Sequence, residues 1–154
     1  QQQRLDGSFD PVIPDRPHGN YHWNGTEWTT FKALKWVELG TEFRNPGKPL
    51  YNSVFAKIMD AEKSGAGNVS SLLTLTTLTA VQRRTLAAAT VRDHWNNFKI
   101  LLTSSELRDI QSLINGIQHL KNLLSDAGFP LSAADIAGWN QLITKADFPD
   151  SCKL

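Results

Sequence analysis

Three residues near the start of the chain have side chains of the types that bind metal ions. His18 and His22 are four residues apart, and Asp15 precedes them. Imidazole and carboxylate groups are common zinc ligands, and two histidines four apart on a helix lie on one face. The intervening Gly19-Asn20 opposes a helix, so this spacing does not build a site. We predict no metal ion and no other cofactor.

The other candidates for catalysis also lack a supporting pattern. Cys152 follows Pro149 close to the last residue, which predicts a surface thiol at a frayed end and not a preorganised nucleophile. The sequence contains no glycine-rich phosphate loop, no Gly-x-Ser-x-Gly and no His-Glu-x-x-His. We predict that the chain is not an enzyme, unless a buried polar cluster forms around His94 in a cleft. The prominent carboxylates occupy cap or first-turn positions, where the helix dipole accounts for them: Asp93, Glu106, Asp109 and Asp135.

Charge and hydropathy argue against two classes of partner. Sixteen basic and fifteen acidic residues leave a net charge of +1, which creates no field to attract nucleic acid. No apolar run reaches the roughly 20 residues that a membrane-spanning helix needs. The length of 154 residues predicts one domain with an appendage. The opening Gln-Gln-Gln-Arg, with no methionine and no apolar signal core, indicates a fragment or a processed form.

Two long apolar patterns between residues 79 and 126 must supply the framework that positions any site. Thr79 and Gln82 predict a capping box at the start of the first helix, and Thr103 and Glu106 predict another at the start of the second. The second helix is expected to end at Gly128. Two such stripes joined by a few residues predict an antiparallel helix pair. The first stripe comprises Val81, Ala88, Val91, Trp95, Phe98 and Leu102, and the second comprises Leu107, Ile110, Leu113, Ile114, Ile117, Leu120, Leu123 and Leu124.

The remaining patterns complete a mainly α fold, a small antiparallel helical bundle over residues 50–154. Apolar spacing predicts a helix over residues 50–63 and a short last helix that begins at the capping box of Ser132 and Asp135. Leucines at every third position from Leu72 to Leu78 fit a helix, with a buried strand as the competitor. The tetrapeptides Ala-Gly-Phe-Pro and Ala-Asp-Phe-Pro, at 127–130 and 146–149, predict two copies of a helix stop in which phenylalanine folds back onto the core.

Residues 1–49 are predicted to form a separate segment, an extended arm with an aromatic hairpin and a linker. Prolines at positions 11, 14 and 17 oppose any packed element over residues 1–20. Between Thr29 and Gly40 the pattern fits either a short helix stopped by Gly40 or a strand. Asn45-Pro46-Gly47 adds turn chemistry that separates this segment from the bundle.

The hairpin prediction rests on Asn24-Gly25 between aromatic residues, the signature of a two-residue type I′ turn. Such a turn pairs Trp23 with Thr26 and Tyr21 with Trp28, and it places the three aromatic residues on one face. A two-stranded hairpin needs something to cover, which is either this chain's own helical body or another subunit. The predicted interface residues of the hairpin and arm are Tyr21, Trp23, Trp28, Phe9, Val12 and Ile13.

Two stretches resemble bacteriophage proteins. Residues 14–28, a proline-rich lead-in followed by Trp-Asn-Gly-x-x-Trp, are similar to an element of phage tail and tail-assembly proteins. The later Leu72–Thr77, Leu102–Glu106 and Gly128–Pro130 resemble small helical domains of tail-fibre-like proteins. The resemblance implies a structural role and carries over no catalytic residue.

Together these patterns predict a structural or interaction subunit of a larger assembly. We expect a tail, tail-fibre or baseplate component of a phage virion, assembled in the host cytoplasm, which forms homo-oligomers and docks through its arm and hairpin onto other subunits. The alternative is a soluble helical binding module or tail-assembly chaperone that is not retained in the particle. Neither nucleic acid nor a membrane is an expected partner, and a carbohydrate receptor is left open.

Overall fold

The structure, a computed structural model, describes residues 14–15, 21–23, 26–30, 34–65 and 69–154. The chain divides into two compact units, residues 1–33 and residues 34–154. The described part is mainly helical. The division falls earlier than the predicted boundary between residues 49 and 50. Residues 34–49 belong to the helical unit because Leu39 and Phe43 are fully buried in its core.

The N-terminal unit contains two three-residue strands, β1 (Tyr21–Trp23) and β2 (Trp28–Thr30), which pair antiparallel. The register aligns Trp23 with Trp28 and Tyr21 with Thr30. The predicted register, with Trp23 opposite Thr26, was therefore wrong by two residues. An Asn-Gly pair specifies a backbone conformation but not the length of the connection, and four-residue connections are also common in antiparallel pairs.

The helical unit is organised around α3 (Ala80–Thr103) and α4 (Ile110–Ala127), which make the most extensive contacts between any two described elements. They run antiparallel, since Arg84 lies near Gly128 while the His94 ring contacts the carbonyl oxygen of Gly116. The predicted helix pair is confirmed. The capping box at Thr79 is confirmed as well, because its hydroxyl accepts from the backbone N–H of Gln82 and the Gln82 side chain accepts in return.

The start of α4 differs from the prediction. Asp109, and not Thr103, caps this helix, and its carboxylate accepts from the backbone N–H of Ser112 at 2.8 Å. Leu107 therefore precedes the helix and is 52% exposed. Val81 is also outside the core, with 75% exposure, in the first turn of α3. The bulky side chains that are fully buried include Phe43, Ile58, Trp95, Leu102, Leu120 and Trp139.

Two further helices, α2 (Pro49–Ser64) and α5 (Ala133–Lys145), confirm the predicted helix over residues 50–63 and the predicted short last helix. The capping box of Ser132 and Asp135 is present at the start of α5. The leucine segment between α2 and α3 is neither a helix nor a buried strand. It forms a single 3₁₀ turn at Leu72–Thr74, and Leu73 is 68% exposed. Its threonines favour this outcome because β-branched residues lose rotamer freedom in a helix.

The first helix of this unit is α1 (Trp36–Phe43). The sequence left the segment from Thr29 to Gly40 open between a helix and a strand, and its last residues are helical. Gly40 does not end the helix, contrary to the prediction. A Cβ atom at Gly40 would lie 2.9 Å from the carbonyl oxygen of Leu102. The glycine is therefore a site of close approach between α1 and α3, and its missing side chain lets Leu39 and Phe43 reach the core.

The two Phe-Pro sequences end α4 and α5 with the same hydrogen-bond pattern. Phe129 N–H donates to the carbonyl oxygen of Leu124 at 2.8 Å, and Phe148 N–H donates to that of Ile143 at 3.0 Å. The preceding residues, Gly128 and Asp147, have φ angles of 93° and 61°. Both ends are Schellman motifs, in which a left-handed residue closes the last turn. The predicted pair of helix stops is confirmed, and both phenylalanines pack on the core.

Candidate functional site

The predicted interface residues fall into two groups. Tyr21 and Trp23 lie in β1, and Trp28 begins β2. The Trp28 indole N–H donates to the carbonyl oxygen of Pro14 at 2.8 Å, so the tryptophan is tied to the backbone of the predicted arm. The arm residues of the predicted interface lie outside the described residues: Phe9, Val12 and Ile13.

The metal-ligating residue types do not converge in the part of the chain that the structure describes. No group of three or more histidine, cysteine, aspartate or glutamate side chains there is arranged to hold a metal ion. Asp15 is exposed, whereas His18, the histidine on which the predicted spacing depended, lies outside the described residues.

Cys152 corrects the prediction of a surface thiol. Its side chain is fully buried, and burial raises the pKa of the thiol. Trp139 holds this segment because its indole N–H donates to the carbonyl oxygen of Cys152 at 2.8 Å. Asn140 makes two further bonds, accepting from the N–H of Leu154 at 2.8 Å and donating to its carbonyl oxygen at 3.1 Å. These contacts anchor the last residues on α5, so the end of the helical unit is packed and not frayed.

His94 is a residue of α3, and its ring contacts α4. Its Nε2 atom is 2.9 Å from the carbonyl oxygen of Gly116, and its ring meets that of His119 edge to face at 4.4 Å. Burial lowers the pKa of His94, against an opposing contribution from the hydrogen bond to Gly116. Neither of the two cavities described below is lined by this histidine. Its contacts join the two central helices.

A polar network lies at the junction of α2 and α5. Asp135 is 4% exposed, and its Oδ2 atom lies 3.0 Å from the Lys57 ammonium. The same oxygen accepts from the backbone N–H and the hydroxyl of Ser132, each at 2.8 Å. Lys57 also donates to the hydroxyl of Ser53 at 3.0 Å.

These bonds determine the charge state of the carboxylate. Burial by itself would raise the pKa of Asp135, but hydrogen bonds from Ser53, Ser132 and Lys57 outweigh it and lower the pKa to about 2. A serine beside a lysine is one arrangement for nucleophilic catalysis, which requires the amine to act as a base. Here the amine of Lys57 is engaged in a salt bridge with Asp135. Because Lys57 belongs to α2 and Asp135 to α5, the network joins these two helices. The spacing of Ser53 and Lys57, one helical turn apart, was the signal in the sequence that we did not use.

The network borders a cavity of about 440 Å³ between the start of α2 and α5. Leu50 and Leu142 supply apolar lining, and Glu42 lies at one side. Glu42 pairs with Lys48 at 3.2 Å and with Lys145 at 3.8 Å. The charged side chains around this cavity are therefore balanced by partners within the chain.

A second cavity, of about 500 Å³, lies between α1 and the α3–α4 connection. Trp36 and Val37 give it an apolar lining, and Arg108 contributes a guanidinium group. The Nε atom of Arg108 is buried and has no hydrogen-bond partner. Sequence reasoning missed this residue, since a lone arginine in a connecting segment carries no local signal.

Several large apolar side chains outside the core are exposed by about half or more. They include Leu73, Leu75 and Val81 around the start of α3, and Ile100 on its later turns. Scattered exposure of this kind is normal in a folded protein, whereas a contiguous patch indicates an interaction site.

None of the described helices is both long and apolar enough to cross a membrane. No family model matches the sequence. No curated protein and no solved structure matches it either.

Proposed function

We propose that this chain is a structural subunit of a larger assembly, a tail, tail-fibre or baseplate component of a bacteriophage virion. The N-terminal unit docks onto neighbouring subunits, including further copies of the chain, while the helical unit acts as a compact body. The observation that carries the proposal is the division of the chain at residues 33 and 34. The helical unit has a core of its own, and the proposal assigns docking to the N-terminal unit.

The chemistry of the N-terminal unit suits docking. A pair of three-residue strands is marginal in water unless its aromatic side covers another surface. Trp28 connects the second strand to Pro14, so an aromatic hairpin and an arm would bind as one element. Tryptophan is among the residues that contribute most to binding free energy at protein interfaces. The resemblance of residues 14–28 to an element of phage tail proteins supports the same role.

Removal of residues 1–33 tests the proposal. The truncation point keeps α1, because a cut after residue 49 would remove Leu39 and Phe43 from the core. We expect the shortened chain to remain helical by circular dichroism and to unfold cooperatively, while light scattering shows that self-association is lost. Trp28→Ala in the full chain should weaken association in the same direction, with Leu73→Ala, an exposed apolar position of the helical unit, as the control.

Undiminished association of the shortened chain would contradict the docking role. Mass spectrometry of purified phage particles, compared with the lysate of infected cells, separates a virion subunit from an assembly chaperone. A subunit is found in the finished particle, whereas a chaperone is found in the lysate alone.

A further inference from the structure

The second cavity contains a charge that the described chain does not neutralise. Arg108 lines it, and the Nε atom of this side chain is buried without a hydrogen-bond partner. No salt bridge to Arg108 is formed by the described residues. A buried donor without a partner is costly, because it loses its bond to water and gains none in return. Arg108 as a whole is partly exposed, so its Nη groups, and not the buried Nε, are the donors that a ligand in the cavity can reach.

The other charged side chains of this lining have partners of opposite sign within 4 Å. Each pair leaves no net charge at the cavity, so Arg108 contributes a single uncompensated positive charge. The pairs are Lys35 with Asp147 at 3.1 Å, Glu38 with Lys145 at 3.5 Å, and Glu42 with Lys48 at 3.2 Å.

The guanidinium group defines the ligand's polar end. Its two Nη amino groups form a planar fork that matches the two oxygens of a carboxylate. A single positive charge balances a monoanion. A doubly charged phosphate would leave one negative charge at the cavity without a counter-charge.

The rest of the lining defines the ligand's other end. Leu34, Trp36 and Val37 present apolar and aromatic surface to the cavity. Trp36 is itself held in place by an edge-to-face contact with Phe148, with ring centroids 4.8 Å apart. A volume of about 500 Å³ is within the range of small-molecule sites, which combine an apolar lining with a few polar groups that fix orientation.

We propose that this cavity binds a small monocarboxylate with an apolar or aromatic body, and that Arg108 binds the carboxylate. The apolar body would lie against Trp36 and Val37. The site belongs to the helical unit, and it does not depend on the docking role proposed for the N-terminal unit.

The test titrates the full, ¹⁵N-labelled chain with 3-phenylpropionate and follows the Nε–H resonance of Arg108 by NMR. We expect a saturable shift of this resonance. The neutral isostere 3-phenylpropanamide should bind at least tenfold more weakly, because it lacks the charged oxygens that the fork requires. Inorganic phosphate should produce no saturable shift at the same resonance.

Three variants test whether Arg108 supplies the binding free energy for 3-phenylpropionate. Arg108→Gln should weaken 3-phenylpropionate binding at least tenfold, and Arg108→Lys should lie between this variant and the unchanged protein, since it keeps the charge and loses the fork. Arg84→Gln is the matched control, because Arg84 is an exposed arginine away from the cavity, and it should bind as the unchanged protein does.

The proposal is overturned if the amide binds as tightly as the acid, or if Arg84→Gln lowers the affinity as much as Arg108→Gln. It is also overturned if the Arg108 resonance does not respond to millimolar 3-phenylpropionate. The fold of each variant is checked by its amide spectrum, so that a loss of binding is read only on folded protein.

Discussion

Two cavities of the helical unit share Glu42 in their lining, yet they differ in how their charges are neutralised. Around the cavity between α2 and α5, Asp135 is bound by Lys57 and Ser132. In the cavity beside α1, the buried Nε atom of Arg108 has no partner.

The difference separates a structural network from a binding site. A buried carboxylate that accepts several hydrogen bonds is stabilised in place and connects the elements that supply the donors. A buried donor that lacks an acceptor destabilises the folded state, and the exposed Nη groups beside it are available to a ligand. Substitutions in the first cavity should therefore affect stability, and those in the second should affect binding.

The largest expected effect is that of Asp135→Asn. Loss of the carboxylate leaves the Lys57 ammonium without its counter-charge and weakens the capping box of α5. We expect the free energy of unfolding to fall by about 3 kcal/mol, measured by chemical denaturation. The double variant Asp135→Asn with Lys57→Met should recover part of this loss, because it no longer buries an unpaired charge. A loss below about 1 kcal/mol in the single variant would show that the network is not structural.

The pH dependence of stability is a second measure of the same network. The pKa of Asp135 is lowered from 3.8 to about 2. A carboxylate with a lowered pKa in the folded state stabilises it above pH 3.8, and this contribution is lost as the pH falls through about 2. The difference between these two pKa values corresponds to roughly 2 kcal/mol in the free energy of unfolding. Between pH 4 and pH 2 the unchanged protein should lose more stability than Asp135→Asn, and His94, present in both, cancels in the difference. Parallel curves of stability against pH for the two proteins would show that Asp135 is not the source of the pH dependence.

Glu42, which lines both cavities, should show a small effect on stability and a clear one on binding. Its salt bridges with Lys48 and Lys145 are partly exposed, and such pairs contribute less than about 1 kcal/mol. Glu42→Gln should therefore unfold almost as the unchanged protein does. Because it removes a negative charge from the Arg108 cavity, it should bind 3-phenylpropionate more tightly, as titration would measure. Weaker binding would argue against the charge account of that site.

The smallest effect on stability is expected for Arg108→Gln. The substitution removes a guanidinium that forms no salt bridge with the described residues and whose Nε atom is unpaired. We expect the free energy of unfolding to change by less than about 0.5 kcal/mol, or to rise slightly. Thermal unfolding beside Asp135→Asn compares the two cavities directly. A loss as large as that of Asp135→Asn would place Arg108 in the structural framework and contradict the difference between the two cavities.

Features that depend on a few neighbouring residues were predictable from the sequence. The capping boxes at Thr79 and Ser132 and the Schellman stops after α4 and α5 are formed within one or two helical turns. Apolar spacing predicted α2 and the α3–α4 pair for the same reason. Even so, two local signals competed at the start of α4, and Asp109 caps it while Thr103 is the last residue of α3.

The features with the most bearing on function came from the tertiary structure. Gly40 reads as a helix stop in the sequence, yet it allows α1 to approach the carbonyl oxygen of Leu102. Cys152 reads as a terminal thiol, yet Trp139 helps to bury it.

The sequence by itself determined the four longer helices, α2 to α5, most of the residues at which they begin and end, and that their apolar faces must meet. Only the tertiary structure decided that Lys57 neutralises Asp135 while Arg108 lines a cavity without a partner. The physical reason is the separation along the sequence of the residues that interact. Caps and helix stops form between residues a few positions apart, whereas burial and charge pairing depend on residues that are distant in sequence and meet only when the helices pack.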